Sequence, residues 1–144
     1  MRALTFFTCV AMSAVAACAV ARADDANTMP NDEPVDMNGV NYACTGVGDD
    51  AIQDPRWTEY AMRIEFANRN AEYLADVTVS VADASGQKLF DDARSDSPWF
   101  LADLPPGKYT ITATVEGVTK TTKFTSPKTG QSRIVVRFPE LPSN

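Results

Sequence analysis

Residues 101–117 read LADLPPGKYTITATVEG, and this stretch indicates the fold more clearly than any other. The Pro-Pro-Gly of residues 105–107 predicts a tight turn, because proline sets φ near about −65° and glycine supplies the positive φ that a type II turn needs. Over residues 109–115, apolar residues and threonines alternate, as in a strand with one buried face. Glu-Gly at 116–117 then predicts a hairpin into a further strand over residues 118–125.

Other segments of the chain show the strand pattern as well. Further strands are expected over residues 60–67, 77–82, 87–91, 98–101 and 133–138. The strand over residues 118–125 has no cleanly apolar face, so we expect it at a sheet edge. Seven short strands separated by turn signals, with no convincing helix among them, predict an all-β fold, a seven-stranded antiparallel β-sandwich.

The segment Pro98–Val115 carries a resemblance to a known family. With Trp99, then Leu-Pro-Pro-Gly at 104–107, then Tyr109 and alternating threonines, it resembles the carboxypeptidase regulatory-like domain, a transthyretin-related (prealbumin-like) seven-stranded β-sandwich. The resemblance covers about Glu59–Phe138. It implies a binding, stabilising or adaptor module, because the domain is an appendage of an enzyme and not its catalytic part.

Two further features qualify the resemblance. The stretch YACTGVG at residues 42–48 looks like small exported bacterial proteins that consist of this domain alone. Residues 97–100, Ser-Pro-Trp-Phe, stand where the family often has a glycine, so the match is close but incomplete. A carboxypeptidase zinc site is not expected, because such a site needs histidine and the chain has none.

The N-terminal residues 1–23, MRALTFFTCVAMSAVAACAVARA, predict a secretory signal peptide. Arg2 supplies the positive end, residues 3–21 are uncharged, and Ala-Arg-Ala at 21–23 is a small-x-small cleavage pattern. Cleavage is therefore expected between Ala23 and Asp24, which would place the mature protein in the periplasm of a Gram-negative bacterium or outside the cell. Small residues dominate the apolar run and acids follow it, so we expect no membrane-spanning segment in the mature form.

An alternative processing site lies inside the same segment. Residues 15–18, Val-Ala-Ala-Cys, resemble a lipobox in which Cys18 is lipidated and becomes the mature N-terminus. The protein would then be an outer-membrane lipoprotein, with residues 19–40 as the tether of an acyl anchor.

Processing changes what the composition allows. Of 13 basic residues two, Arg2 and Arg22, belong to the signal, which leaves 11 against 19 acidic residues and a net charge of −8. This charge argues against a nucleic-acid partner, which needs a basic footprint. Only Cys44 remains of three cysteines, and we expect it to be buried. The lack of histidine removes the commonest general base and the commonest metal ligand.

The remaining segments complete the predicted domain organisation. Residues 24–41 contain five acids and no base, and predict a disordered acidic leader. Residues 42–58 predict a loop or a short helical turn that begins near Asp50. The β-sandwich is expected over residues 59–139, followed by a tail at 140–144.

The weak ligand candidates are four residues, and each has a simpler structural role available. Asp49, Asp50 and Asp54 supply the oxygen ligands that calcium prefers, without the spacing of an EF-hand loop. Trp57 has polar neighbours and is a candidate for stacking on sugars, whereas Trp99 is expected in the core. We expect no catalytic residue, no metal site and no cofactor.

The function predicted from the sequence is an exported, non-enzymatic β-sandwich that serves as a binding, adaptor or structural accessory module in the cell envelope. Its partner would be an unknown protein or an envelope polysaccharide. One alternative is a carbohydrate-binding module that uses Trp57. Another is a hydrolase whose acids assemble only in the fold, which requires two carboxylates facing each other in a cleft.

Overall fold

The computed structural model describes residues 28–141. The predicted signal peptide, the cleavage site at Ala23 and Asp24, and the alternative lipidation site Cys18 lie outside this range. The described elements are β1 (Thr28–Met29), β2 (Val35–Met37), β3 (Val40–Thr45), α1 (Asp49–Gln53), a 3₁₀ helix (Pro55–Glu59), β4 (Met62–Asn68), β5 (Val77–Asp83), β6 (Lys88–Ser95), β7 (Trp99–Ala102), β8 (Gly107–Val115), β9 (Val118–Ser126) and β10 (Ser132–Phe138).

The strands form two five-stranded sheets that pack face to face. The first sheet has the order β1-β6-β5-β8-β9, and the second has the order β10-β4-β7-β3-β2. Val79 and Ile111 of the first sheet lie in one core with Ile64 and Phe100 of the second sheet, all without solvent exposure. The prediction of an all-β sandwich is therefore confirmed.

The strand number and the strand directions differ from the prediction. Residues 28–141 contain ten strands instead of seven, and the pairs β1–β6 and β10–β4 are parallel. The second of these pairs follows from where the chain enters the second sheet. Residues 127–131 carry it from the first sheet to the start of β4, where the amide of Ser132 donates to the Ala61 carbonyl over 2.8 Å. From that point β10 can only run alongside β4 in the same direction.

Residues 28–41 form strands, so the prediction of a disordered leader is wrong for this part of it. β1 pairs with β6, and β2 forms a hairpin with β3. Met29 and Val40 are buried in the core, at 5% and 6% exposure. All the acidic residues of this segment are exposed. A few apolar contacts thus fix a segment whose composition alone is typical of disorder.

Residues 42–58, which were expected to form a loop or a short helical turn, contain regular secondary structure along much of their length. Residues 42–45 belong to β3, and the helical turn expected near Asp50 is present as α1, which begins at Asp49. The 3₁₀ helix follows it directly. Among residues 28–141, no helix has the length and apolar character needed to cross a bilayer.

The predicted hairpin of β8 and β9 is present. Glu116 and Gly117 form its turn with φ of 48° and 77°, the left-handed conformation that two-residue hairpins prefer. β9 pairs with β8 along its whole length without a register shift and lies at the edge of the first sheet, as the sequence predicted.

Candidate functional site

Cys44 is buried, as predicted. Its side chain has no solvent exposure, and the thiol lies 3.7 Å from the sulfur of Met29. Burial raises the pKa of Cys44 to about 12. A nucleophilic cysteine requires a thiolate near neutral pH, so the position of Cys44 is that of a core residue.

Trp57 cannot provide the sugar-stacking surface that the sequence suggested, because its ring is only 2% exposed. It packs with Tyr60, Ala43 and Leu101 on the outer face of the second sheet. The guanidinium of Arg56 lies over the Trp57 ring, 4.7 Å from its centre. The prediction that Trp57 stacks on a sugar is therefore wrong. Its side chain instead packs the segment of the two short helices against the sheet.

The three aspartates near the helices do not form a metal site. Asp49 and Asp50 lie in the first turn of α1. Asp54 instead caps the 3₁₀ helix, where it accepts a hydrogen bond from the Arg56 amide over 2.9 Å and pairs with the Arg56 guanidinium. These bonds from Arg56 lower the pKa of Asp54. Within residues 28–141, no group of three or more acidic or cysteine side chains is placed to hold a metal ion.

Trp99 is buried as expected, but on the outer face of the second sheet. The sheet-facing side of its ring contacts the backbone at Gly46, where an added Cβ atom would lie 2.7 Å from the ring. The guanidinium of Arg63 lies over the ring, 3.5 Å from its centre, in a cation–π contact. Tyr73 meets the ring edge-on at 6.3 Å.

Arg63 also belongs to a charge cluster centred on Glu65, whose side chain is buried. Arg63 Nε donates to Glu65 Oε1 over 2.7 Å. Arg133 of β10 donates through Nε and Nη2 to the two carboxylate oxygens over 2.7 and 2.6 Å. Burial raises the pKa of Glu65, but the hydrogen bonds from Arg133 and Arg63 outweigh it, and the pKa is lowered overall. Glu65 is therefore a charged group that ties β10 to β4.

Arg63 and Glu65 lie within the strand that the sequence predicts over residues 60–67, but no ion-pair cluster was predicted there. The available signal was local: opposite charges two residues apart on one strand share a face. The third member, Arg133, is 68 residues away in sequence, and only the parallel pairing of β10 with β4 brings it to Glu65.

A cleft with a volume of about 720 Å³ lies at the end of the first sheet. The stacked rings of Tyr109 and Phe124, 5.7 Å between centres, form part of its wall. Lys108 and Lys123 line it as well, and both are exposed. Asp83 also lines the cleft, but its carboxylate accepts bonds from the turn that follows it, which lowers its pKa.

Charge is distributed unevenly along the chain, and six of the ten residues that line the cleft, including both lysines, belong to its basic part. Residues 107–138, which include β8, β9 and β10, contain six basic residues and one acidic residue. Residues 28–106 contain five basic and fifteen acidic residues. Two of the six basic residues in 107–138, Arg133 and Lys120, are paired with Glu65 and Glu140. Exposed lysines such as Lys108 and Lys123 attract anionic groups over a distance of about one Debye length.

Two further clefts, with volumes of about 260 and 420 Å³, are both lined by the acidic residues Glu59 and Asp103. The hydrolase hypothesis requires two carboxylates that face each other in a cleft, and Glu59 and Asp103 line the same clefts. Both side chains are exposed. Neither residue was predicted as a site residue, because nothing in their sequence spacing indicates that they line one cleft.

No protein-family model matches the chain, and no curated protein is significantly similar to it in sequence. The class of protein is therefore defined by the fold itself: a β-sandwich of two mixed five-stranded sheets, with a basic cleft at one end of the first sheet.

Proposed function

We propose that this protein is an exported, non-enzymatic binding or adaptor module of the cell envelope, and that it binds an anionic partner at the cleft of Lys108 and Lys123. The observation that carries the proposal is the cleft itself. It is lined by two exposed lysines, neither of which has an ion pair among the described residues, and by Tyr109 and Phe124, whose stacked rings are largely buried. Apolar walls with a few convergent polar groups are typical of ligand sites.

We also propose that the sandwich is a variant of the carboxypeptidase regulatory-like domain. The support is local and concerns the LPPGKY element. The hydroxyl of Tyr109 donates to the carbonyl of Pro105 over 2.7 Å, and Ser126 donates to the carbonyl of Leu104 over 2.8 Å. These two bonds give the residues of the motif a structural role at the entry to β8, and a motif of this kind identifies a fold and not an activity.

A non-enzymatic role agrees with the chemistry of the described residues. Cys44 has a raised pKa and no exposure, and the chain has no histidine. The binding partner is expected to be a protein or an envelope polysaccharide that carries negative charge. The proposal of export rests on residues 1–23, and the intact mass of the purified protein distinguishes an N-terminus at Asp24 from a lipidated Cys18.

The binding proposal is tested by affinity capture from an envelope extract with the immobilised mature chain. The variant Lys108→Gln/Lys123→Gln should retain much less of the captured component than the wild type, because it removes both charges from the cleft. The matched control is Arg69→Gln/Arg137→Gln, which removes the same charge from two exposed residues that do not line the cleft. Equal loss in both variants, or no specific retention by the wild type, would refute a site at the cleft.

A further inference from the structure

β9 presents a long free edge. It spans nine residues and is hydrogen bonded only to β8 among residues 28–141. The pairing of the two strands continues from Gly107 and Ser126 to the hairpin turn without a bulge. Free edges are templates for a further strand, and proteins usually shorten, twist or cover them or place charged side chains, especially lysines, on them. β9 is long and regular, and Lys120 and Lys123 are its charged residues; these repel a strand that carries positive charge and attract one that carries negative charge. An edge of this length and regularity is a site where an extended segment can add.

The register of the hairpin determines which backbone groups are free. In a two-residue hairpin, the residues that flank the turn, here Val115 and Val118, form a hydrogen-bonded pair, and the pattern then alternates along the strands. Thr119, Thr121 and Lys123, together with Thr125, therefore direct their amide and carbonyl groups away from β8. All four of these residues are exposed.

The side chains support this register. In pairs that are not hydrogen bonded through the backbone, the two side chains lie closer together. The hydroxyl oxygens of Thr114 and Thr119 lie 2.9 Å apart, and those of Thr112 and Thr121 lie 3.4 Å apart.

The charge of β9 selects the kind of strand that fits. Lys120 and Lys123 lie on β9, within the basic part of the chain. Lys120 is paired with Glu140, so within residues 28–141 Lys123 is the unpaired charge of the two. A second copy of β9 would bring another Lys123 to the same edge, and like charges on neighbouring strands are destabilising. A strand with carboxylates opposite Lys123 would be attracted instead.

We propose that β9 is a docking edge for an acidic, extended polypeptide segment, which binds by strand addition to the backbone of Thr119, Thr121, Lys123 and Thr125. This inference rests on the proposed binding function and specifies its partner: the docked segment extends the first sheet, beside the cleft that Lys123 also lines. Backbone hydrogen bonds supply affinity in this mode of recognition, and the side chains of the segment supply specificity.

The probe is a blocked ten-residue peptide of alternating valine and glutamate. It should bind the mature chain with an affinity that falls as salt is added, and it should slow amide exchange at Thr119, Thr121, Lys123 and Thr125. The first matched control is the same peptide with its alternate amides N-methylated, which keeps the charge but cannot form the ladder. The second control has lysine in place of glutamate. Neither control peptide should bind.

Variants of the protein test the same edge. Thr121→Pro removes one amide that points away from β8. A sheet edge tolerates proline at such a position, and the variant should weaken peptide binding by at least about tenfold. Thr121→Val keeps the amide and should bind as the wild type does. Lys123→Glu should weaken binding by a similar factor. If Thr121→Pro fails to fold, the comparison of the methylated and unmethylated peptides decides the question.

Three results would overturn strand addition: equal binding of the N-methylated peptide, exchange protection outside β9, or a dimer of the wild type that forms through β9 without peptide. The binding function itself is tested separately. If the peptide does not bind while envelope capture still depends on Lys108 and Lys123, the docking edge is refuted and binding at the cleft is supported. If capture fails while the peptide binds, the cleft is refuted instead.

Discussion

Arg133 on β10 holds the carboxylate of Glu65 on β4 at two points, with Nε 2.7 Å from Oε1 and Nη2 2.6 Å from Oε2. The two ends of this pair differ in their surroundings: the Glu65 side chain is 1% exposed, and the Arg133 side chain is 57% exposed. β10 has β4 as its neighbour in the sheet and is an edge strand. The pair therefore fastens an edge strand to the interior of the sheet, and its strength can be measured.

Arg133→Met should lower the free energy of unfolding by about 1.5–3 kcal/mol, because Glu65 loses two charge-assisted hydrogen bonds and keeps those from Arg63. Urea denaturation at neutral pH measures the loss. The control is Arg137→Met, an exposed residue on the same face of β10, which should change the free energy by less than about 0.5 kcal/mol. Similar losses in both variants would show that the pair with Glu65 adds no stability.

Acid should remove the contribution of Glu65. Its pKa is lowered in the folded protein from an ordinary value of 4.5, so the unfolded chain binds the proton more readily. The contribution of Glu65 to the free energy of unfolding is therefore lost as pH falls from about 4.5 through the folded pKa. The difference in unfolding free energy between the wild type and Glu65→Gln should therefore be largest near neutral pH and shrink below pH 4.5. Urea denaturation across this range measures it. A difference that is constant, or that grows in acid, would contradict the lowered pKa.

Gly46→Ala should be strongly destabilising. At Gly46, φ is +103° and an added Cβ would lie 2.7 Å from the Trp99 ring. Overpacking of this kind costs about 1–3 kcal/mol, in addition to the backbone strain. Gly48→Ala is the matched control, since Gly48 has φ of +89° but nothing within 4 Å of the added atom. Melting temperatures of the two variants separate the clash from the strain, and equal losses would mean that Trp99 moves aside at no cost.

The thiol of Cys44 should resist modification in the native mature chain. Its side chain has no exposure, and burial raises its pKa to about 12, so neither access nor thiolate formation favours reaction. Mass spectrometry after treatment with a maleimide should show an unmodified protein at neutral pH and complete labelling in denaturant. Rapid labelling of the native protein would place the thiol at the surface.

Local sequence patterns predicted those parts of the fold that depend on neighbours along the chain. The alternation in residues 109–115 and the turn at residues 116–117 correspond to β8 and its hairpin. Cys44 and Trp99 were expected to be buried, and they are. Each of these depends on few residues, because a strand with one buried face, or a turn with positive φ, needs only its own side chains to be recognised.

Contacts between distant segments decided the rest. Residues 28–41 are ordered because Met29 and Val40 are buried in the core. The acidic composition of this segment does not indicate that burial. Trp57 packs against the sheet, although its neighbours in sequence are polar. Glu65 is hydrogen bonded to Arg133, and Lys108 and Lys123 line one cleft, only after the sheets have formed. The sequence by itself determined the strand pattern and its hairpin; the burial of a charge and the composition of the cleft were decided by strand order, because that order brings distant residues side by side.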